Sequence, residues 1–195
     1  MNNTNLVFDV ETLGFEQDSV VLTLSCTPFI FDEKQSFDYF LEKSFSVKFD
    51  TKQQLKIGRK ASIETIDWWK SKGSEGQSLL KPSSDDLSLI TGLKVLNKYI
   101  TEYTNFNKSS YVWSRGVVLD FSIIQSLYET VELDMPFNMN KIRCINTFVD
   151  VLTDSSNGIY DVKEKPEYFT PFNPKHKVAL EAVIMTEIFD NLKNS

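Results

Sequence analysis

Asp9 and Glu11 are two acidic residues near the N-terminus with a single residue between them. On a β-strand, this spacing directs both side chains to the same face of the sheet. Two neighbouring carboxylates repel each other, so their burial is unfavourable unless a cation lies between them. The pair alone is typical of a solvated strand end. The apolar residues 6–8 before it and Leu13-Gly14 after it predict the end of a buried strand, and this context favours a site for a pair of Mg²⁺ or Mn²⁺ ions.

Three further residues have side chains suited to the same site. Asp120 follows the apolar residues 111–113, and by itself an aspartate in this place is typical of a helix N-cap. His176 is the chain's only histidine, and by itself it is typical of a polar residue in the first turn of a helix. Glu181 follows five residues later. On a helix, this separation sets the two side chains roughly 140° apart, so both can approach one site only near the helix start.

Patterns of apolar residues predict the elements that position these side chains. Strands are predicted at residues 6–8, 19–31, 36–47 and 111–113, and the first three form an antiparallel meander. Helices are predicted at residues 62–69, 85–103, 120–128 and 176–192, and a short strand end with a helix at 143–152. Residues 71–84 and 154–174 are predicted to be loops. This order predicts an α/β fold with a mixed sheet and helices packed on it.

The composition predicts one globular domain spanning residues 1–195. The chain is 41% hydrophobic and 13% aromatic, which is typical of a well-packed core. A formal net charge of -6 argues against a protein that wraps broadly around duplex DNA, but it allows an enzyme that grips a few nucleotides. Two distant cysteines, no signal-peptide pattern and no long apolar run indicate a cytoplasmic protein without a membrane segment.

In chain order, these residues resemble the motifs of the DEDDh 3′–5′ exonucleases, a branch of the ribonuclease H-like fold. Phe8-Asp9-Val10-Glu11-Thr12 is similar to the first motif, Leu119-Asp120-Phe121 to the second, and residues 176–181 to the third. Residues 62–70 and 112–116 are also similar to segments of the T-even phage exonuclease A and its bacterial exoribonuclease relatives. If the chain is encoded by a phage, its expected location is the host cytoplasm.

The sequence departs from the family pattern in two places. The last acid is Glu181, where the family usually has aspartate, and the additional methylene moves the carboxylate by roughly 1.5 Å. This change predicts either a reduced activity or a preference for Mn²⁺, because Mg²⁺ is more exacting about its octahedral geometry. Cys144 and Asn146 stand where relatives carry an aspartate and an arginine.

The resemblance implies a two-metal mechanism that acts on the 3′ end of single-stranded DNA or RNA and releases nucleoside 5′-monophosphates. It implies that Asp9 bridges the two cations, that Glu11 and Glu181 complete the first metal site, and that Asp120 holds the second cation. His176 would take a proton from the attacking water, which suits a side chain whose pKa lies near neutrality.

Four residues are implied to contact the substrate: Thr12, Leu13, Trp69 and Arg115. Leu13 would wedge against the terminal base or pack in the core. Trp68 and Trp69 point about 100° apart on a helix, so one is expected in the core while the other stacks on a base, unless both are buried. Arg115 would contact a phosphate or pair with a nearby carboxylate.

Two other functions fit the same residues. The chain could be a catalytically weakened nucleic-acid-binding protein on the same fold, or its metal centre could remove a non-standard modification from an RNA end. The sequence does not separate DNA from RNA as the substrate, and it leaves both a monomer and a homodimer open.

Overall fold

The computed structural model describes residues 3–104, 106, 110–162 and 165–194. Its strands form one five-stranded sheet in the order β3-β2-β1-β4-β5. β1 pairs with β2, and β2 with β3, in antiparallel fashion, whereas β1 pairs with β4, and β4 with β5, in parallel fashion. The strands are β1 (Asn5–Thr12), β2 (Val21–Phe29), β3 (Phe45–Lys48), β4 (Val112–Ser114) and β5 (Ile142–Cys144).

Helices pack on both faces of this mixed sheet. They are α1 (Phe37–Lys43), α2 (Thr51–Lys56), α3 (Ile63–Ser71), α4 (Gly73–Leu80), α5 (Leu89–Tyr103), α6 (Val117–Thr130), α7 (Ile145–Thr153) and α8 (Pro174–Lys193), with a short 3₁₀ turn at Met139–Lys141. The mixed sheet with an antiparallel three-strand part and parallel strands confirms the predicted fold class. None of the helices in the described residues combines the length and apolar character that a membrane crossing needs.

Residues 36–47 were predicted to be one strand, and this prediction is wrong. Residues 37–43 form α1, and β3 begins only at Phe45. The Ser36 side chain caps the helix by accepting a hydrogen bond from the Tyr39 N–H. Phe37 and Phe40 are buried, and their spacing of three residues places them on one helix face. Tyr39, whose apolar ring suggested a strand alternation, is 41% exposed.

The predicted loop at residues 71–84 is also wrong, because most of it forms α4. This helix buries only Gly76 and Leu79, and a stripe that narrow leaves no helical periodicity in the sequence. The helix α2 was not predicted. The other predicted loop, residues 154–174, has no helix or strand in its described residues before Pro174, where α8 begins, and residues 163 and 164 lie outside the described residues.

The central strand β1 separates two apolar cores. Leu6, Phe8 and Val10 face a core that includes residues of α5 and α6. Val7 faces the opposite core, which is built largely from α1, α7 and α8. Because side chains alternate along a strand, Asp9 and Glu11 share the face of Val7. The packing of α8 on this face of β1 and β2 therefore brings its first turns towards both acids.

Candidate active site

Asp9 and Glu11 lie at the end of β1, and both contact one lysine of α8. The Lys177 ammonium Nζ lies 2.9 Å from Asp9 Oδ2 and 2.8 Å from Glu11 Oε1. Glu11 is 9% exposed, so the pair is not a solvated strand end. Burial lowers the pKa of Lys177, but the two carboxylates more than offset this effect and the pKa lies above its ordinary range. The lysine is therefore a protonated counter-ion.

Asp120 reaches the same site from the first turn of α6. This helix starts directly after β4, with Gly116 as its N-cap residue. The Ser114 hydroxyl donates a hydrogen bond to Asp120 Oδ2. A Cβ atom at Gly116 would lie 3.0 Å from Asp120 Oδ1, so the glycine leaves room for the carboxylate. The alternative reading of Asp120 as the N-cap residue is wrong, because the residue lies within the helix and is 8% exposed.

Glu181 lies one helical turn after Lys177 on α8, and it pairs with Arg115. Arg115 Nε lies 2.5 Å from Glu181 Oε1. The same guanidinium donates through Nη1 to Asn146 Oδ1 at 2.9 Å and to the Gly158 carbonyl oxygen at 2.6 Å. Of the two alternatives for Arg115, the structure therefore places it against a carboxylate. It is anchored by three internal contacts.

The electrostatics of the acids indicate one shared site. Burial and then the neighbouring Asp9 raise the pKa of Glu11 to about 7, while Lys177 opposes the shift. Burial and then Asp9 also raise the pKa of Asp120 to about 7, against the hydrogen bond from Ser114. Burial raises the pKa of Glu181, and Arg115 opposes it. Asp9 acts on all three other acids, so four carboxylates converge on a poorly solvated region.

The oxygen donors of this region fit Mg²⁺ or Mn²⁺, which prefer carboxylate ligands. Two buried oxygens, Asp9 Oδ2 and Glu181 Oε2, have no hydrogen-bond partner in the described residues, although Asp9 Oδ2 keeps its charge contact with Lys177. No group of three or more His, Cys, Asp or Glu side chains in the described ranges is already arranged around a metal position. Lys177 and Arg115 are each bound to carboxylates that a metal would need.

His176 lies in the first turn of α8, where the side chain of Asn173 caps the helix. Its imidazole Nδ1 accepts a hydrogen bond from the Thr170 N–H at 3.1 Å. The ring packs among Phe37, Tyr168 and Phe169. Burial lowers the pKa of His176, against a weaker opposing effect of a nearby glutamate. The imidazole is therefore neutral at neutral pH with its proton on Nε2, and no hydrogen bond or ion pair among the described residues joins it to the acids.

The implied substrate contacts occupy different environments. Trp69 is 2% exposed, and its indole Nε1 donates to the Thr12 carbonyl oxygen at 2.9 Å. The ring of Trp69 is therefore part of the core, and it also lines a pocket beside Glu11, whereas the neighbouring Trp68 is 47% exposed. A contact of Trp69 with a base stays a prediction. Leu13 is 6% exposed and packs in the same core cluster as Trp69, which supports its core role rather than a wedge against the base.

A pocket of about 270 Å³ adjoins Glu11. The exposed ring of Phe15 and the half-exposed ring of Trp68 line this pocket. Thr12, which directly follows Glu11 in the sequence, also lines it. Because it is open, largely apolar and next to the carboxylates, this pocket can hold a planar aromatic group beside the site.

Lys177 is the main site residue that the sequence analysis missed. The sequence does contain a signal for Lys177: it precedes Glu181 by four residues on a predicted helix and therefore shares its face. Ser114 and Phe15 were also missed. Ser114 lies within a recognised segment and Phe15 lies close to one, but neither residue type has a distinctive spacing.

Comparison with solved structures identifies the class of fold. The chain is similar to cell-death related nuclease 4 (CRN-4), with 13% identity, a TM-score of 0.61, and coverage of 97% of this chain and 64% of that chain. It is similar to the nuclease domain of 3′hExo, a DEDDh family member bound to rAMP (9%, TM-score 0.55, 99% and 93%), and to product-bound exonuclease I (10%, 0.54, 100% and 46%). The predicted ribonuclease H-like architecture is confirmed.

The sequence comparisons then identify the family. The family model described as the 3′-5′ exoribonuclease Rv2179c-like domain matches residues 4–188, and the chain belongs to this family. It is also 30% identical over 130 residues to an exodeoxyribonuclease of Enterobacteria phage T4. That match covers 66% of this chain and 57% of the phage protein, so the chain spans little more than half the length of that relative. The predicted family resemblance is confirmed.

Proposed function

We propose that this protein is a metal-dependent 3′–5′ exonuclease that releases nucleoside 5′-monophosphates from single-stranded DNA or RNA. The observation that carries the proposal is the convergence of four buried or partly buried carboxylates, from β1, α6 and α8, in a chain of an exoribonuclease domain family. Such a cluster is unfavourable in the absence of cations and suits the transfer of a charged phosphoryl group in their presence.

Asp9, Glu11, Asp120 and Glu181 would hold two divalent cations. When bound, the cations would lower the pKa of a water molecule and neutralise charge that develops on the scissile phosphate. The contribution of the protein is the fixed direction of these carboxylates. Ser114 supports it by its hydrogen bond to Asp120, and Arg115 by its hydrogen bond to Glu181.

His176 would accept the proton of the attacking water. Its lowered pKa keeps the imidazole in the basic form at neutral pH. In the described arrangement, Nδ1 is occupied by the Thr170 N–H. The base role therefore requires the ring to release the Thr170 N–H. Nδ1 can then accept the proton of the water, or the ring proton can move from Nε2 to Nδ1 so that Nε2 accepts it.

The pocket beside Glu11 would receive a nucleobase near the 3′ end. Aromatic side chains bind successive bases by stacking, which tolerates any sequence, and both Phe15 and Trp68 offer exposed rings there. Thr12 stays a proposed contact, with its carbonyl already bound to the Trp69 indole.

We also propose a cytoplasmic location, which the two free cysteines support. Light scattering would separate a monomer from a homodimer.

The test is digestion of a single-stranded oligonucleotide labelled at either end, with Mg²⁺, Mn²⁺ or EDTA. We expect mononucleotides from the 3′ end with either metal and none with EDTA. Asp9→Asn removes a proposed ligand, and we expect a loss of at least roughly a thousandfold in rate. Asp67→Asn is the matched control, because Asp67 is an exposed acid that pairs with Lys70. Activity that survives Asp9→Asn, or that does not need metal, would contradict the proposal.

A second candidate function is a nucleic-acid-binding protein with little or no catalysis. The observation in its favour is that Lys177 and Arg115 already pair with three of the four acids. Counting free Mn²⁺ by electron paramagnetic resonance separates the two candidates. Undiminished oligonucleotide affinity without any Mn²⁺ uptake would support the binding protein over the exonuclease.

A further inference from the structure

Lys177 occupies the space between Asp9 and Glu11, and its position is not explained by helix stability. It lies close to the start of α8, where the helix dipole disfavours a positive charge. Its side chain is 32% exposed, so it could extend into solvent as surface lysines usually do. Instead its ammonium contacts both acids at 2.8–2.9 Å. The carboxylates are therefore what holds the lysine in place.

The two cationic side chains of the site, Arg115 and Lys177, differ in how firmly they are held. The guanidinium of Arg115 has contacts beyond its carboxylate, to Asn146 and to the Gly158 carbonyl. The ammonium of Lys177 contacts only Asp9 and Glu11 within the described part of the chain. A lysine also has a flexible four-carbon stem and a strongly hydrated head. Lys177 can therefore leave the acids for water, whereas Arg115 is anchored.

We propose that Lys177 is a built-in counter-ion of Asp9 and Glu11 which a divalent cation has to displace. This inference rests on the proposed function. A doubly charged ion in contact with the same oxygens attracts them more strongly than one ammonium does. The lysine therefore stabilises the protein without metal and weakens its apparent affinity for metal. It sets the metal concentration at which the site becomes loaded, without itself touching the substrate.

Lys177→Met tests the inference, because methionine keeps the unbranched apolar stem and removes the charge. Lys177→Gln is a second variant that keeps a hydrogen-bond donor near the acids. Lys175→Met is the matched control, since Lys175 is an exposed lysine on the same turn of α8. Mn²⁺ binding is measured at fixed pH by electron paramagnetic resonance, and unfolding by urea is measured in EDTA.

We expect both Lys177 variants to bind Mn²⁺ about 5- to 20-fold more tightly than the unmodified protein, and to unfold at lower urea concentration in EDTA. Saturating Mn²⁺ should remove the stability difference. Lys175→Met should match the unmodified protein in both measurements. Mn²⁺ affinity that is unchanged or weaker in both Lys177 variants would overturn the inference alone. A complete lack of Mn²⁺ binding by every form would overturn the proposed function, and the inference with it.

Discussion

Replacing Arg115 with methionine removes the cation from Glu181 while keeping much of the apolar stem. Arg115 Nε lies 2.5 Å from Glu181 Oε1, and the glutamate side chain is 17% exposed. Loss of one partner leaves a buried carboxylate without its counter-ion, which typically costs about 3–5 kcal/mol. The arginine side chain is 33% exposed, so water partly replaces it and the cost falls to about 2–3 kcal/mol.

Protonation of Glu181 sets an upper limit on the free energy that its unpaired charge can cost. The ordinary pKa of a glutamate is 4.5, and each pH unit above it makes protonation costlier by about 1.4 kcal/mol. Glu181 without its counter-ion can become neutral by binding a proton, and at about pH 7 this protonation costs about 3.4 kcal/mol. At about pH 5.5 the same protonation costs only about 1.4 kcal/mol. Removal of Arg115 raises the folded-state pKa of Glu181 further, so the stability of the variant falls as pH rises above the unfolded-state value.

Urea unfolding in EDTA at these two pH values measures the effect. Arg115→Met also loses its hydrogen bonds to Asn146 and Gly158, which contribute about 1–2 kcal/mol independently of pH. The double variant Arg115→Met with Glu181→Gln measures that contribution alone, because it has no carboxylate charge that would be left unpaired. If the destabilisation by Arg115→Met is the same at both pH values and persists in the Glu181→Gln background, the charge argument is refuted and the loss is one of packing.

Three further predictions concern the pocket, the acids and the loop before α8. Trp68→Ala should weaken single-strand binding by about 10- to 100-fold in a fluorescence titration, the value of one stacked base, whereas Trp69→Ala should instead destabilise the fold by about 3–5 kcal/mol in urea unfolding. The folded-state pKa values of Glu11 and Asp120 are raised to about 7, so the folded state binds protons that the unfolded state releases. The free energy of unfolding in EDTA should therefore fall as pH rises from about 4.5 to 7. Glu11→Gln should reduce the slope of this fall. Gly158 has a φ of 68°, and a Cβ atom there would clash with Asn146 Oδ1. Gly158→Ala should therefore cost more, by thermal unfolding, than the about 1–2 kcal/mol of the left-handed backbone alone.

The elements with clear apolar periodicity could be predicted from the sequence, and those without it could not. The helix α8 buries residues along most of its length, which makes its pattern easy to recognise. The helix α1 has seven residues, and alternating aromatic and aliphatic side chains in so short a segment fit a strand as well as a helix. Only the packing of Phe37 and Phe40 against α8 decides between them, and this packing is a tertiary contact.

The acids of the site could be predicted because their types and order match a family, whereas their partners could not. Lys177 is 166 residues away from Glu11 in the sequence, and Arg115 is 66 residues away from Glu181. Such pairs depend on how α8 and the start of α6 dock on the sheet. The same holds for the two tryptophans. Helical geometry sets their angle, but only the carbonyl of Thr12 and the surrounding core select Trp69 as the buried one.

Two of the positions that differ from the predicted family pattern, Glu181 and Asn146, contact the same guanidinium. Glu181 stands where the resemblance predicts an aspartate, and its Oε1 lies 2.5 Å from Arg115 Nε. Asn146 stands where the resemblance predicts an arginine, and its Oδ1 accepts a hydrogen bond from Arg115 Nη1. An arginine at position 146 has no acceptor to offer and would repel Arg115. The asparagine is therefore consistent with the pairing of Arg115 and Glu181, because it binds the guanidinium through Nη1 while Nε contacts the glutamate.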